Sequence, residues 1–545
     1  MKKIVSGMKV ILIVGAILLA LLYYYVAIPA INLHAEGTWQ FVIFGVLVAA
    51  AVLLFRLRPA SPADLKYELK ESKAIRFVLF ALLALVLIWL VGSLLSSPII
   101  NASAYQKLLT VTERDFSEDI TEADYTQIPL LDKDSAALVG NRKMGSIIEY
   151  VSQFEVSDLY TQINYKDRPV RVTPLVYAST IKWFTNHGKG IPAYIRIDMT
   201  TQNAELVKLS NPIRYSQADH FGRNIYRHLR FHYPTYIFDR LSFEIDDEGT
   251  PWWICPVKKF NIGLFGGATI GRVVLCNACT GETQDYTLEE CPEWVDSVCS
   301  AQLLIGLYNY HGTLKNGYLN SILGQRDCLV TTDGYNYLAL EDDVWVYTGV
   351  TSVSGDESNV GFVLMNQRTM ETRYYNIPGA EEFSAMDSAQ GQVQNLGYKA
   401  TFPLLLNVAG EPTYFMALKD AAGLVKKYAM VNIQRYQNVA IGDTVSSCEK
   451  AYINLLRTNG IAAELTASDY ARGTIRKITE AVVDGTSHFY ILLEGDENIY
   501  DVNVAEQLQV VTLDPGEEAV FGYVQQDGYR SVISLERDED GSHNG

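Results

Sequence analysis

Val274-Leu275-Cys276-Asn277-Ala278-Cys279-Thr280-Gly281-Glu282 is an apolar strand that stops on a short acceptor side chain and turns. The same pattern recurs in Ile195-Arg196-Ile197-Asp198, Val363-Leu364-Met365-Asn366 and Ala429-Met430-Val431-Asn432. A Thr follows three residues after the corner at Thr201, Thr280 and Thr369, and Arg435 stands there in the fourth. Asp and Asn suit such corners because their side chains accept hydrogen bonds from backbone N–H groups just beyond them. Upstream of each corner lies a turn between two strand-like runs. These turns are Lys166-Asp167-Arg168-Pro169 before Val170-Arg171-Val172, Asp247-Glu248-Gly249-Thr250-Pro251 before Trp252-Trp253-Ile254, Glu341-Asp342-Asp343 before Val344-Trp345-Val346, and Gly410-Glu411-Pro412 before Thr413-Tyr414-Phe415. Four related strand-turn-strand units are expected, each followed by a second hairpin.

Helical periodicity separates these units. Ser216 and Asp219 form a capping-box-like start, after which Phe221, Ile225 and Leu229 share one face at ~100° per residue. Residues 293–310, 380–396 and 446–458 read as further helices. The predicted fold class is α+β: an N-terminal three-helix transmembrane anchor, repeated helix-plus-antiparallel-sheet modules that pack sheet against helix, and a small C-terminal β-barrel. The boundaries fall at 1–99 for the anchor, 100–150 for a helical stalk or connector with helices over 132–141 and 142–151, and 151–290 and 291–460 for two pairs of modules. Within 470–537, runs at 473–481, 487–493, 498–502, 508–513 and 519–524 predict a barrel of oligonucleotide/oligosaccharide-binding or SH3-like kind. An acidic tail closes the chain at 538–545.

The anchor rests on three apolar runs, 10–28, 39–55 and 77–95, none of which contains a charged side chain. Each has about the length a helix needs to cross ~30 Å of hydrocarbon. The second is the shortest, and a re-entrant or interfacial helix is its alternative. Lys2, Lys3 and Lys9 precede the first run, and Arg56, Arg58, Lys66, Lys70, Lys73 and Arg76 lie between the second and third, whereas 32–37 has no Lys or Arg. Basic residues stay on the cytoplasmic side of short loops. A multi-pass plasma-membrane protein with a cytoplasmic N-terminus and a large extracytoplasmic C-terminal domain is therefore expected. The 545 residues carry a formal net charge of -17, of which residues 1–99 hold nine Lys+Arg and four Asp+Glu, leaving about -22 beyond them. That field disfavours nucleic acid and anionic headgroups as partners through bulk charge. With 48% hydrophobic residues the chain is neither disordered nor collagenous.

A helix, a hairpin with an acidic Gly-Pro turn, and the strand closing on Asn277-Ala278-Cys279-Thr280-Gly281-Glu282 together resemble PepSY-type domains. Thr369-Met370-Glu371 keeps part of the Thr-Gly-Glu signature, and the resemblance covers about half of residues 150–445. It implies a noncatalytic module associated with the inhibition or localisation of peptidases, and it supplies no catalytic residue.

Chemistry is sparse. Cys276 and Cys279 form a C-x-x-C pair, but they run out of a strand and lack the helix N-terminus that lowers a thiol pKa. Cys291 and Cys299 are separated by seven residues, so zinc-ligand spacing is missing. Cys255, Cys276, Cys279, Cys291 and Cys299 are read as disulfides or buried thiols, the exported location favouring oxidised pairs with Cys255 and Cys276 first among them. His228 and His232 stand at i and i+4, yet Leu229 occupies the place where a zinc-protease helix needs Glu, and a packed pair is expected. Gly263, Leu264, Phe265, Gly266 and Gly267 join two strands, whereas phosphate-binding loops lead from strand into helix. Either a mobile hairpin tip or a contact with a partner or the membrane fits that loop. The acidic turns around Asp246, Asp247 and Glu248 and around Glu341, Asp342 and Asp343 fit solvated turns or a calcium site. No catalytic residue, cofactor or metal is assigned. The expected function is that of a membrane-anchored exported binding or scaffold protein of the cell envelope that modulates peptidases or an envelope complex, with the bilayer and an envelope protein as partners. An exported hydrolase with a site assembled from distant residues, and a structural subunit of a membrane complex, are the alternatives.

Overall fold

Three runs rich in Leu, Val, Ile and Ala lie within the first hundred residues, and helix satisfies their backbone polar groups from within. The computed structural model describes residues 2–57, 72–121, 128–353, 358–461, 469–483, 486–526 and 528–537. It forms α1 (Lys2–Ala27), α2 (Glu36–Leu57) and α3 (Lys73–Leu95). Among the described residues two helices are long and apolar enough to cross a membrane, over Glu36–Leu53 and Lys73–Leu95, and α1 contributes the shorter apolar stretch Ile13–Ala27. Most of the basic loop used for orientation, 58–71, lies outside the described residues. Ser97 and Pro98 start α4 (Pro98–Gln106) straight after α3, because Pro at the first helical position forfeits no intrahelical bond.

Beyond these three helices the chain is a mixture of helices and many sheets, α+β in class. β1 (Val111–Arg114) comes first, and α5 (Lys133–Gly145) follows it. Among the described residues, four larger antiparallel meanders then succeed one another. Sheet I holds β2 (Phe154–Val156), β3 (Thr161–Asn164), β4 (Pro169–Tyr177), β5 (Ile191–Asp198) and β6 (Ala204–Ile213). After α6 (Ile225–His232), sheet II holds β7 (Ser242–Ile245), β8 (Pro251–Ile262), β9 (Gly266–Asn277) and β10 (Thr283–Thr287). After α7 (Ala301–Thr313), sheet III holds β11 (Leu329–Thr331), β12 (Asn336–Leu340), β13 (Asp343–Ser352), β15 (Gly361–Asn366) and β16 (Thr372–Tyr375), with β1 added in parallel on β16. The short pair β14 (Ser358–Asn359) and β17 (Gly379–Ala380) stands beside it. After α8 (Glu382–Gln392), sheet IV holds β18 (Lys399–Ala400), β19 (Leu404–Val408), β20 (Glu411–Lys419), β21 (Val425–Asn432) and β22 (Val439–Gly442).

Asp198, Asn277, Asn366 and Asn432 all end the third strand of a four-strand meander, opposite Val170, Trp252, Trp345 and Thr413. The side chain accepts from Thr200 and Thr201 N–H, from Cys279 and Thr280, from Arg368 and Thr369, and from Arg435 in the fourth. The first hairpin of sheets I, III and IV turns through two residues at positive φ, Lys166/Asp167 (55° and 60°), Glu341/Asp342 (53° and 64°) and Ala409/Gly410 (54° and 78°). Such turns match the right-handed twist of the strands they join.

The sheets pack mainly on each other. Along β8, Trp253, Cys255 and Val257 enter the core shared with sheet I, while Ile254 enters the core shared with sheet III. Along β13, Val346 and Val350 face sheet II, while Trp345 and Tyr347 face sheet IV. Period-2 alternation with both faces apolar is the mark of a strand between two cores. Sheet IV returns to sheet I through the segment before α5: Lys419 Nζ meets Asp132 Oδ2 at 2.5 Å, and Gln202 donates to the Tyr428 hydroxyl at 3.1 Å. The expected sheet-on-helix packing gives way to this arrangement because both faces of the inner strands are already apolar.

Two helix starts differ from expectation. Ser216 and Asp219 bond to each other and Asp219 accepts from the Trp183 indole N–H, so the helix begins only at Ile225 with Asn224 as its cap. Residues 293–300 are irregular because the Glu244 carboxylate takes the N–H groups of Asp296 and Ser297, and helix resumes at Ala301 under the Ser300 cap.

A second compact unit, Ser446–Gly545, contains nearly all of α9 (Val445–Thr458). Its strands β23 (Asp469–Val483), β24 (Thr486–Leu493), β25 (Tyr500–Asn503), β26 (Glu518–Gln526) and β27 (Tyr529–Arg537) pair in the cyclic order β23-β24-β25-β27-β26. The strand expected at 508–513 is a 3-10 helix, Leu508–Thr512. Val510 and Leu513 are buried while Leu508 and Val511 face solvent, a spacing of three that no strand provides. The tail 538–545 and the turn at Asp484-Gly485 lie outside the described residues.

Candidate functional site

A cavity of about 350 Å³ opens where the first strands of the meanders begin. Thr161 and Gln162 come from β3, Ser242 from β7, Asn336 and Tyr337 from β12, and Phe402 lies just before β19. Two helices bring their first turns to the wall, α5 with Lys133 and Asp134 and α7 with Ala301, Gln302 and the cap Ser300. Sheets arranged around a shared hollow place one side chain from each unit at the same point.

Arg171, on β4, is 4% exposed and forms part of this wall. Its Nη2 donates to Gln162 Oε1 at 3.0 Å, while its Nε and the Gln162 Nε2 have no partner. Among the described residues no carboxylate forms an ion pair with it. Burial pulls the guanidinium pKa down, and the nearby Tyr337, Asp132 and Asp134 act against that pull. A guanidinium does not deprotonate in proteins, so the wall holds a buried cation. Asp132 is already engaged. Burial would raise its carboxyl, but Lys419 and the Ser135 hydrogen bonds outweigh burial and hold it below the usual carboxylate range. Burial keeps the Tyr337 phenol protonated. Gln302 Nε2 donates to the Tyr335 hydroxyl at 3.1 Å.

On β7, beyond Ser242, stands the fully buried Glu244. Its two oxygens accept from Asp296 and Ser297 N–H, both at 2.9 Å. Asp296 Oδ2 accepts from Asn164 N–H at 2.7 Å, and its Oδ1 has no partner. Burial raises both carboxyl pKa values, Glu244 to about 7, and the Glu244 charge raises Asp296 further. Two buried carboxyls this close resist ionising together, so the pair retains a proton near neutrality.

The loop 263–267 meets the N-terminal helices of its own chain. Gly263 and Gly267 adopt φ of 58° and 63°, and the tip they form turns onto the end of α3. Ser96 Oγ accepts from Leu264 and Phe265 N–H at 2.8 and 3.0 Å, and Gly267 N–H donates to the Tyr105 hydroxyl at 3.2 Å. Phe265 lies edge-on to Trp39, and His34 stacks on Phe260. The first turns of α6 reach the end of α1: Arg227 lies over the Tyr25 ring, and Arg230 Nε donates to Ile28 O at 2.9 Å. On the same helix His228 meets Gly281 O and His232 meets His228 O, both at 2.8 Å, so each ring is committed to a carbonyl.

The cysteines do not form one cluster, and the expected oxidised pair is not present. Cys255, Cys276 and Cys279 belong to the core between sheets I and II, Cys291 and Cys299 to that between sheets II and III. None of the seven is in a disulfide, and all are buried. Cys255 pairs with Val274 and Cys276 with Trp253, so the two are diagonal neighbours at roughly 7–8 Å, beyond the span of a disulfide. Burial pushes Cys276 and Cys291 up to about 12 and Cys279 to about 11. The folded protein should therefore show no fast thiols toward a disulfide reagent, and all seven after denaturation without reductant. A titration giving fewer than seven after unfolding would establish oxidation. The acidic turns bind within the chain: Asp246 accepts from Glu248 and Thr250 N–H, Asp343 pairs with Arg368, and Glu341 with Arg373. Among the described residues no group of three His, Cys, Asp or Glu is placed to hold a metal.

Arg171 and Glu244 escaped the sequence reading, although each is a charge inside a short apolar strand, Val170-Arg171-Val172 and Phe243-Glu244-Ile245. No family model matches the chain, and no curated protein matches it. Among solved structures, a mutant of Synechocystis apocarotenoid oxygenase and the cobalt-substituted form of that enzyme align at 8% and 9% identity, each with a TM-score of 0.14. The chain covers 64% of either one's length with 73% of its own, and a score that low conveys neither fold nor chemistry.

Proposed function

We propose that this is a membrane-anchored binding or scaffold protein of the cell envelope. Three spans with a cytoplasmic N-terminus hold the sheets outside the membrane, and the cyclic unit 469–537 is a small barrel of oligonucleotide/oligosaccharide-binding or SH3-like kind. The supporting observation is the clasp between the sheets and the anchor. The β8–β9 tip grips the end of α3, and α6 grips the end of α1. Those two helix ends are opposite the starts of α1 and α3, which carry Lys2, Lys3, Lys73 and Arg76. Basic residues favour the cytoplasmic face, so the same clasp directs the sheets outward.

Cysteine accessibility tests this. Lys166→Cys, on an exposed turn, is expected to react with a membrane-impermeant maleimide in intact cells, and Ser61→Cys only after lysis. The opposite pattern overturns both the orientation and the exported function.

A further inference from the structure

We propose that the cavity at the starts of β3, β7 and β12 is a binding site for a small organic monocarboxylate, whose carboxylate sits against the Arg171 guanidinium. The proposal deepens the binding reading above, and its test does not depend on membrane orientation, so the two fail separately.

Three observations lead to it. Arg171 is buried, lines the cavity, and among the described residues has one protein acceptor for its five N–H donors, the Gln162 amide oxygen at 3.0 Å. A buried cation left that way is costly, and an oxyanion that accepts from it in a fork supplies the missing partner. The Gln162 Nε2 beside it is a second unused donor. Next, the balance of charge favours one negative charge over two. Lys133, Asp134 and Arg240 also line the cavity but are solvent-exposed, Asp132 is ionised and paired with Lys419, and Arg171 is the buried positive charge among the described lining residues, so a single carboxylate matches it. Finally, the size and lining set the body of the ligand. About 350 Å³ is near the lower limit for a small-molecule site, roughly a dozen water volumes. Tyr337 and Phe402 offer ring faces there, and the first turn of α7, thirteen residues long, brings partly positive N–H groups to the same wall.

The test uses the full chain in detergent micelles, with thermal unfolding read against added acetate, benzoate and glucuronate, and against benzamide and inorganic phosphate. At least one carboxylate is expected to raise Tm in a saturable way, with an apparent affinity ten times or more that of benzamide. Arg171→Gln is expected to keep or raise the ligand-free Tm, because a buried unpaired charge is removed, and to abolish the carboxylate shift. Should that variant not fold, Arg171→Lys serves instead. It keeps the charge but loses the planar fork, and the apparent affinity should fall tenfold or more. No shift with any of the three carboxylates, equal shifts with benzoate and benzamide, or a carboxylate shift that survives in the Arg171→Gln variant overturns the proposal. A shift with phosphate alone overturns the monocarboxylate class.

Discussion

Gly266→Val should undock the β8–β9 hairpin from the ends of α3 and α4 and lower the stability of the full chain by about 3 kcal/mol, as clashes and lost hydrogen bonds add. A Cβ at Gly266 would clash with both Ser96 O and the Tyr105 hydroxyl, so the two of them or the tip itself must move. The Tyr105 hydroxyl donates to Ser96 O and accepts from Gly267 N–H, and the Ser96 hydroxyl accepts from Leu264 and Phe265 N–H. Displacing the tip breaks that set together. Gly92 in α3 is the complementary surface, since a Cβ there would meet Leu264 at 3.1 Å and Phe265 at 3.3 Å. Denaturant unfolding in micelles measures the loss, and limited proteolysis near 96–110 reports the undocking. Gly145→Ala, at a glycine with nothing within 4 Å of its would-be Cβ, is the control. A Gly266→Val protein within 0.5 kcal/mol of the parent would mean that the clasp contributes nothing to stability.

The second large effect is a dependence on pH. Glu244 and Asp296 have folded pKa values raised above those of the unfolded chain. A raised carboxyl contributes its full stability below the unfolded pKa and loses it as pH rises through the folded one. The protein should therefore become less stable between about pH 4.5 and 7, by on the order of 3 kcal/mol for a Glu244 pKa near 7. Asp296→Asn removes one charge and keeps an oxygen for Asn164 N–H, while its new amide N–H group can donate to Glu244. The variant should flatten that slope and exceed the parent in stability at pH 8. Calorimetry of both proteins across pH 5 to 8 decides it. A parent whose Tm climbs with pH over that range would show that the pair ionises freely.

The four corners were legible because their signal is local: an apolar run, an Asx acceptor and a turn lie within ten residues of one another. What the units do to each other was not local. Trp253 and Ile254 are adjacent in sequence yet serve different cores, and an apolar run buried on both faces reads the same whether helices or sheets cover it. The loop 263–267 was singled out for its glycines, but its partners Ser96 and Tyr105 lie some 160 residues upstream. Arg171 sat in plain view within Val170-Arg171-Val172, and only the convergence of β3, β4 and β12 makes it part of a cavity wall. The run at 508–513 misled because Leu508, Val510, Val511 and Leu513 supply enough branched and apolar residues for a strand at positions spaced for a 3-10 turn.

The parallel pairing of β1 with β16 bears on the order in which the molecule matures. Val111 lies opposite Thr372, so the segment leaving the anchor gains its sheet partner only about 260 residues later in synthesis. At 5–20 residues per second that interval is roughly 13–50 s. Sheets I and II are complete in the emerging chain before then, whereas the strap formed by 111–120 closes only after them. Its locking contacts are Tyr375 with Asp119 and Asn407 with Ile120 O. A ribosome halted before residue 372 would leave the connector unfastened beneath two finished sheets.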